Sequence, residues 1–217
     1  MKKLLIATTN SGKIKEYREI FKQFRLPIDV VSLKDLGITE PVEEDGETFE
    51  ENAVKKARFY FSLSGLPTLS DDAGVEIDFL NGEPGVKTRR WPGYEATDEE
   101  LANLALEKLK GVPAEKRGAQ LTAAIGLIFP GQSEVYTFKG VLRGRIAEQP
   151  FGETIPGYPF RSIFISESEE KHLNTLGIVA HRKQAVEKAL PIIEKWSGAK
   201  PSTQSSYGRH VKIQPSN

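Results

Sequence analysis

Short apolar runs and helix-period apolar patterns alternate along the chain, and this alternation predicts an α/β fold. The first apolar run, Leu4 to Ala7, leads into a polar turn. Apolar residues then recur at the spacing of one helix face, at Ile14, Tyr17, Phe21 and Phe24. The opening segment is therefore predicted to be a strand, a tight turn and a helix.

Further patterns predict the remaining elements. Thr48 and Glu51 form a capping-box signature, and Thr97 with Glu100 repeats it, so a helix is expected to begin at each. Two long alternating runs joined by a Pro-Gly turn predict an antiparallel hairpin, which would make the sheet mixed. The predicted strands are 4–7, 28–33, 67–70, 75–79, 120–129, 134–146 and 162–165, and the later helices are 48–63, 97–109 and 181–196.

Composition narrows the class of protein. The 217-residue chain carries 30 basic and 30 acidic residues, so its charge does not favour nucleic acid or a membrane surface. It has no cysteine and three histidines, which excludes thiolate metal sites and disfavours a histidine-built zinc site. No apolar run is long enough to span a bilayer, and no signal peptide is evident. We expect one cytoplasmic α/β domain over 1–197 and a disordered tail over 198–217.

The polar turn after the first strand is a candidate phosphate site. A helix N-terminus offers backbone N–H groups and a positive dipole end, which suit an anion. The side chains around it add a positive charge and further donors. The alternative is an ordinary capped helix, and the spacing of a Walker loop is absent. The candidate residues are Thr8, Thr9, Asn10, Ser11, Gly12 and Lys13.

Two acidic groups are candidate metal ligands. Residues 40–51 hold seven carboxylates in twelve positions, and Asp71-Asp72 follows a predicted strand. Acidic residues in a first helical turn can simply complement the helix dipole, which explains Glu47, Glu50 and Glu51. Adjacent strand residues point to opposite sides, so at most one of Asp71 and Asp72 can face a given pocket. A phosphate site with Mg²⁺-binding carboxylates and one free carboxylate base suits phosphoryl chemistry.

Several motifs occur together in an order that resembles one known family. They are Thr8–Lys13, Glu43–Ala53 with Lys56-Ala57, Asp71–Glu76, Asn81–Val86 and Ala180-His181-Arg182. The chain resembles the inosine/xanthosine triphosphate pyrophosphatases over about residues 3–196. These enzymes hydrolyse non-standard purine nucleoside triphosphates to the monophosphate and pyrophosphate.

The resemblance implies an elongated mixed sheet with flanking helices in two lobes, a nucleotide cleft between them, Mg²⁺ and a homodimer. Glu43 and Asp72 would bind Mg²⁺, and Asp72 would also activate water. The catalytic pair would be Asp72 and Lys13. Substrate-binding residues would be Thr8, Thr9, Asn10, Ser11, Gly12, Lys13, Ala73, Gly157, Tyr158, His181 and Arg182.

Three positions depart from the family pattern. Ala73 replaces a Ser or Thr, Leu176 replaces a Lys, and the base-reading loop 156–161 lacks its Asp. In that loop Tyr158 could stack on a base and Arg161 could donate where an acid accepted. The departures keep two alternatives open: a nucleotide-binding protein with impaired catalysis, and a pyrophosphatase for other modified nucleotides.

Overall fold

The computed structural model describes residues 1–153, 155–168, 171–173 and 180–200. Within these ranges it has seven strands and four α-helices, joined by loops and short 3-10 helices. Leu176 and residues 201–217 of the predicted tail lie outside these ranges. The strands are β1 (Lys2–Ala7), β2 (Ile28–Ser32), β3 (Thr68–Ile77), β4 (Gly118–Ile128), β5 (Tyr136–Ile146), β6 (Phe164–Ser166) and β7 (Lys171–His172). The helices are α1 (Ser11–Gln23), α2 (Phe49–Ser64), α3 (Asp98–Lys108) and α4 (Ala180–Ser197).

The strands form one mixed sheet in the order β2-β1-β3-β4-β5-β6-β7. β1 pairs in parallel with β2 and β3, and the pairs from β3 onward are antiparallel. The α/β class and the mixed sheet predicted from the sequence are therefore confirmed.

One predicted pair of strands is wrong. The sequence predicts separate strands at 67–70 and 75–79, but β3 runs without a break through the acidic pair. Each of its ten residues has a partner on β4, so the long neighbouring strand holds the polar middle of β3 extended. β1 ends at Ala7, opposite Ser70. The two aspartates thus lie in mid-strand, directly beyond the end of the neighbouring β1.

Two apolar cores divide the molecule into lobes. One packs α1 and α4 against the β1 side of the sheet, with Tyr17, Ile20 and Leu190 fully buried. The other packs α3 against the far ends of β3 to β5, with Leu101 and Phe164 fully buried. Because β3, β4 and β5 run through both cores, the lobes share three strands and stay in fixed register.

Local capping decides where three of the helices begin. Thr48 accepts from the backbone of Glu51 while Glu51 reaches back to the cap, and Thr97 with Glu100 does the same for α3. Both predicted capping boxes are confirmed. Asn10 caps α1. Among the helices described, none combines the length and apolar character needed to cross a bilayer.

Candidate active site

A cleft of about 620 Å³ opens where the β1–α1 turn, α2, the middle of β3, the loop 155–161 and the start of α4 meet. The strand order explains this convergence, because β1 stops beside Ser70 and leaves the next residues of β3 uncovered. Eleven predicted site residues line the cleft: Thr8, Thr9, Asn10, Lys13, Glu43, Asp72, Ala73, Gly157, Tyr158, His181 and Arg182.

The structure does not bring Ser11 and Gly12 into the lining of this cleft. Ser11 is exposed and lines a second hollow on the other side of the turn. The Asn10 side chain accepts from the backbone N–H groups of Gly12 and Lys13, at 2.9 and 3.2 Å. The turn therefore caps its own helix, and two of the N–H groups expected to meet a phosphate already have a partner.

Asp72 faces the cleft from β3. Its carboxylate accepts from Asn52 Nδ2 at 3.0 Å and from Lys56 Nζ at 3.3 Å. Burial raises the pKa of Asp72, against the opposing charges of Lys56 and Lys13. The carboxylate is thus held in place while its anionic form is made less stable, which suits a group that takes up a proton.

Lys56 is a central cleft residue to which the sequence analysis gave no role. Its ammonium lies between two carboxylates, donating to Glu44 at 2.8 Å as well as to Asp72. Burial opposes the charge of Lys56, but Asp72 and Glu44 outweigh it and raise its pKa. Lys56 and Asn52 stand one turn apart on the buried face of α2, among Phe49, Ala53 and Ala57. Two polar residues on an otherwise apolar helix face are the signal that could have identified them.

Asp71 points to the opposite side of β3 and organises the cleft wall. It is 1% exposed and accepts from Tyr17 Oη at 2.7 Å, from Arg182 Nε at 2.9 Å and from Lys13 Nζ. Burial acts against its charge, yet Arg182 and Lys13 hold the pKa of Asp71 far below its ordinary value. The two aspartates thus differ in role: Asp71 holds the side chains of Lys13 and Arg182 in place, and Asp72 faces the cleft, where a ligand can reach it.

Glu16 of α1 extends this network across the cleft floor. One carboxylate oxygen accepts from Arg182 Nη1 at 3.0 Å, and the other accepts from Arg161 Nη2. Burial, and then the nearby Arg182, lower the pKa of Arg161 to about 10, so it remains charged at neutral pH. Glu16 therefore links the loop 155–161 to α1, a contact that the sequence analysis did not predict.

Gly157 connects the loop 155–161 to both lobes. Its N–H donates to Asp98 on α3, and its carbonyl accepts from Asn10 Nδ2 at 3.0 Å. Next to it, the Tyr158 ring lies so close to Gly12 that a Cβ there would come within 2.5 Å of Cε2. Burial raises the pKa of Tyr158 to about 12. The loop 155–161 thus lies directly against the β1–α1 turn.

His181 begins the buried face of α4. It is 4% exposed, and its Nδ1 has no hydrogen-bond partner among the described residues. Burial, followed by repulsion from Arg182, lowers the pKa of His181 well below its ordinary value. The imidazole is therefore neutral at physiological pH, and the residue lines the cleft.

The acidic residues of the cleft do not form a closed metal site. Glu43, Glu44 and Asp72 line the cleft, but within the described ranges no three His, Cys, Asp or Glu side chains converge as a closed cage. Mg²⁺ is typically held by one or two carboxylates together with water and substrate phosphates. These oxygen donors fit such a substrate-assisted site. Glu44, rather than Glu43, is the residue hydrogen-bonded to Lys56 beside Asp72.

The cleft is basic although the chain as a whole is neutral. Its lining holds six basic and four acidic side chains, of which Lys13 and Lys56 lie nearest the aspartates. The others are Arg89, Arg90, Arg161 and Arg182 on the basic side and Glu43, Glu44, Asp72 and Glu95 on the acidic side. Asp71 and Glu16 behind the lining offset part of this charge, so the basic side chains favour an anionic ligand locally without giving the surface a general affinity for polyanions.

Comparison with known proteins gives a consistent result. The model of the Ham1 family matches residues 4–192. The dITP/XTP pyrophosphatase of Bacillus subtilis (strain 168) is 37% identical over 199 residues, which cover 89% of this chain and 98% of that protein. The dITP/XTP pyrophosphatase of Geobacter sulfurreducens is 40% identical over 190 residues, or 86% and 94% of the two chains. A solved HAM1 protein structure from Coxiella burnetii has a TM-score of 0.76 at 31% identity, covering 90% of this chain and 100% of that one.

The mixed sheet and the basic, carboxylate-bearing cleft define an α/β protein suited to a phosphorylated ligand. Within that class, the chain belongs to the Ham1 family. This membership confirms the family resemblance predicted from the motifs.

Proposed function

We propose that the protein is a nucleoside triphosphate pyrophosphohydrolase, which hydrolyses non-standard purine nucleoside triphosphates to the monophosphate and pyrophosphate. The names of the two curated relatives support this reaction. The observation that carries the proposal is the convergence of Lys13, Lys56 and Asp72 in one cleft beside the β1–α1 turn. This arrangement supplies positive charge for phosphates and a carboxylate for water.

In the proposed mechanism the cleft places the bond between the α- and β-phosphates near Asp72. The Asp72 carboxylate accepts a proton from water, and the water oxygen forms a bond to the α-phosphorus as the bond to the bridging oxygen breaks. Pyrophosphate leaves with that bridging oxygen. Lys13, Lys56 and Arg182 neutralise the charge of the phosphates.

Mg²⁺ is the proposed cofactor, and Glu43 and Asp72 are its proposed ligands, with Glu44 as a third carboxylate on the same wall. When bound, the ion supplies Lewis-acid polarisation of the phosphoryl oxygens. Without it, these carboxylates would repel the triphosphate. Lys56 offsets part of that repulsion because it pairs with both Glu44 and Asp72.

The remaining predicted residues are proposed as substrate contacts. Thr8, Thr9 and Asn10 line the phosphate end of the cleft, while Ala73 lies beside Asp72. Gly157, Tyr158, His181 and Arg182 line the same cleft and are proposed to contact the base or a neighbouring phosphate. The N–H of Gly12 would reach a phosphate only if it gave up its bond to Asn10, and Ser11 lines the second hollow rather than this cleft.

The decisive experiment measures pyrophosphate release from a panel of triphosphates with Mg²⁺ and with EDTA. We expect turnover of inosine and xanthosine triphosphates to exceed that of the standard nucleotides and to stop in EDTA. Modified pyrimidine triphosphates in the same panel test the alternative substrate class. Absence of turnover with every triphosphate would overturn the proposal.

A second candidate function is nucleotide binding with impaired catalysis. It is favoured by the position of Tyr158 against Gly12 and by the pairing of Lys13 with Asp71, both of which occupy groups expected to meet phosphate. Calorimetry separates the two functions, because tight triphosphate binding without pyrophosphate release supports only the second.

We also propose a cytoplasmic homodimer that binds neither nucleic acid nor membrane. The balanced charge of the chain supports the last two points. Light scattering of the purified protein tests the dimer.

A further inference from the structure

Arg161 is held rigidly on the cleft wall. Its side chain is 11% exposed, and Nη2 is paired with Glu16 of α1. From another direction, the guanidinium carbon lies 3.9 Å from the centroid of the Tyr158 ring, at cation–π distance. Two contacts of different kinds therefore fix the guanidinium before any ligand arrives.

Arg161 has more N–H donors than the one that binds Glu16. In the part of the chain that the structure describes, the bond to Glu16 is the only side-chain hydrogen bond of Arg161. Glu16 also accepts from Arg182, whose Nε is bonded to Asp71, so both neighbours are already paired. Among the described residues, Nε, Nη1 and the second hydrogen of Nη2 therefore have no protein acceptor, so Nη2 and one of the other two nitrogens can still present two N–H groups side by side to a ligand in the cleft.

The chemistry of these donors selects what can bind them. A guanidinium has N–H donors and no acceptor, so it recognises groups that present acceptors side by side. On the edge of a 6-oxopurine, O6 and N7 are two such adjacent acceptors, and arginine is their commonest partner. Adenine places an amino donor at position 6, which would face the guanidinium with the wrong polarity.

We propose that Arg161 is a specificity-determining residue that binds the O6 and N7 edge of 6-oxopurine nucleotides. This inference rests on the proposed hydrolysis of nucleoside triphosphates and deepens it. This contact favours nucleotides with a 6-oxo group and discriminates against adenosine nucleotides.

The test compares kcat/KM for dITP, 7-deaza-dITP and dATP. The second substrate differs from the first only in lacking the N7 acceptor. In the unaltered protein we expect 7-deaza-dITP to be about tenfold poorer than dITP. In Arg161→Ala this ratio should approach one, and the preference for dITP over dATP should shrink at the same time.

Two further variants make the result specific. Arg161→Met keeps an unbranched side chain but has no N–H donor, so its dITP to 7-deaza-dITP ratio should also fall towards one. Arg145→Ala removes an exposed arginine of β5 outside the cleft and should leave both ratios unchanged. Thermal unfolding of each variant checks that it is folded, and the ratio measured in the unaltered protein needs no variant at all.

The outcomes separate this inference from the proposed function. If the unaltered protein turns over none of the triphosphates, the proposed function fails. If it turns over dITP but treats 7-deaza-dITP equally, or if Arg161→Ala retains the full ratio, the role of Arg161 is overturned while the hydrolase function stands.

Discussion

Asp71 and Asp72 are adjacent on β3, but their side chains lie on opposite sides of the strand and have different roles. Strand geometry alone predicts that only one of them can face a pocket, and the structure has Asp72 in the cleft and Asp71 in the wall behind it. Strand geometry does not indicate which of the two faces the cleft, because that depends on how β3 is packed between the helices; only the family resemblance pointed to Asp72. The contacts of Lys56 and Glu16 escaped prediction for the same reason, since their partners lie on other elements.

We predict that Asp72→Asn preserves the fold and removes most activity. The amide keeps the shape of the carboxylate but cannot accept the proton of water, so kcat should fall about 10²- to 10⁴-fold. Pyrophosphate release and thermal unfolding measure the two effects. Asp71→Asn is the matched control: it leaves Lys13 and Arg182 without their buried partner and should lower the free energy of unfolding by about 3–5 kcal/mol. An Asp72→Asn variant with unchanged kcat would place the base elsewhere.

The buried His181 predicts a specific pH dependence of stability. Because its pKa is lowered in the folded state, the unfolded chain binds a proton at higher pH than the native chain does. His181 should therefore leave stability unchanged above about pH 6.5, and below it should reduce stability by up to about 1.4 kcal/mol per pH unit.

Denaturant unfolding at pH 7.5, 6.5 and 5.5 measures this slope. The matched variant is His181→Gln, which cannot take up a proton in this range and should flatten the curve below pH 6.5. The other titrating groups are common to both proteins and cancel in the difference. Equal slopes in the two proteins would show that His181 is protonated equally in the folded and unfolded states.

At the scale of elements, α4 depends on a close approach to β5. A Cβ at Gly140 would overlap the carbonyl oxygen of His181 and come within 2.8 Å of the Ala185 nitrogen. No side chain fits between the strand and the helix at this point. The backbone contact therefore sets the position from which His181 and Arg182 reach the cleft.

We predict that Gly140→Ala lowers both stability and activity. Overpacking of this kind typically costs about 1–3 kcal/mol, and displacement of the helix would move Arg182 away from Asp71 and Glu16. Unfolding and kcat/KM for dITP report the two effects. Thr137→Ala, at an exposed position of the same strand, should change neither. A fully active and stable Gly140→Ala variant would show that α4 can shift without consequence.

The sequence predicts elements best where the signal is local. Both capping boxes and the long hairpin follow from short patterns, and the structure confirms them. The sequence predicts a break within β3 because aspartate disfavours strands. The prediction is wrong because the pairing of every β3 residue with β4 overrides that local preference. The contact between loop 155–161 and the β1–α1 turn joins residues 147 positions apart in the chain, so no local sequence pattern predicts it.

At the scale of the whole molecule, charge is concentrated rather than abundant. The chain is neutral as a whole, but six basic side chains line one cleft, and most of those near β3 are paired with carboxylates. In this arrangement Glu44 and Asp72 bind Lys56, and within the described residues no larger group of acidic side chains forms a cage. A divalent ion alone would compete with Lys56 for both carboxylates, whereas an ion arriving with a triphosphate brings its own oxygen ligands.

We therefore predict that Mg²⁺ stabilises the protein only together with a triphosphate. A ligand present at 100 times its Kd adds about 2.7 kcal/mol to the free energy of unfolding. Millimolar Mg²⁺ alone should leave the melting temperature unchanged. Mg²⁺ with a non-hydrolysable inosine triphosphate analogue should raise it by several degrees, and EDTA should remove most of that gain. Glu44→Gln should reduce the joint effect without changing the melting temperature in Mg²⁺ alone. A clear upward shift with Mg²⁺ and no nucleotide would instead indicate a preformed metal site, and the carboxylates would then hold the ion before the substrate binds.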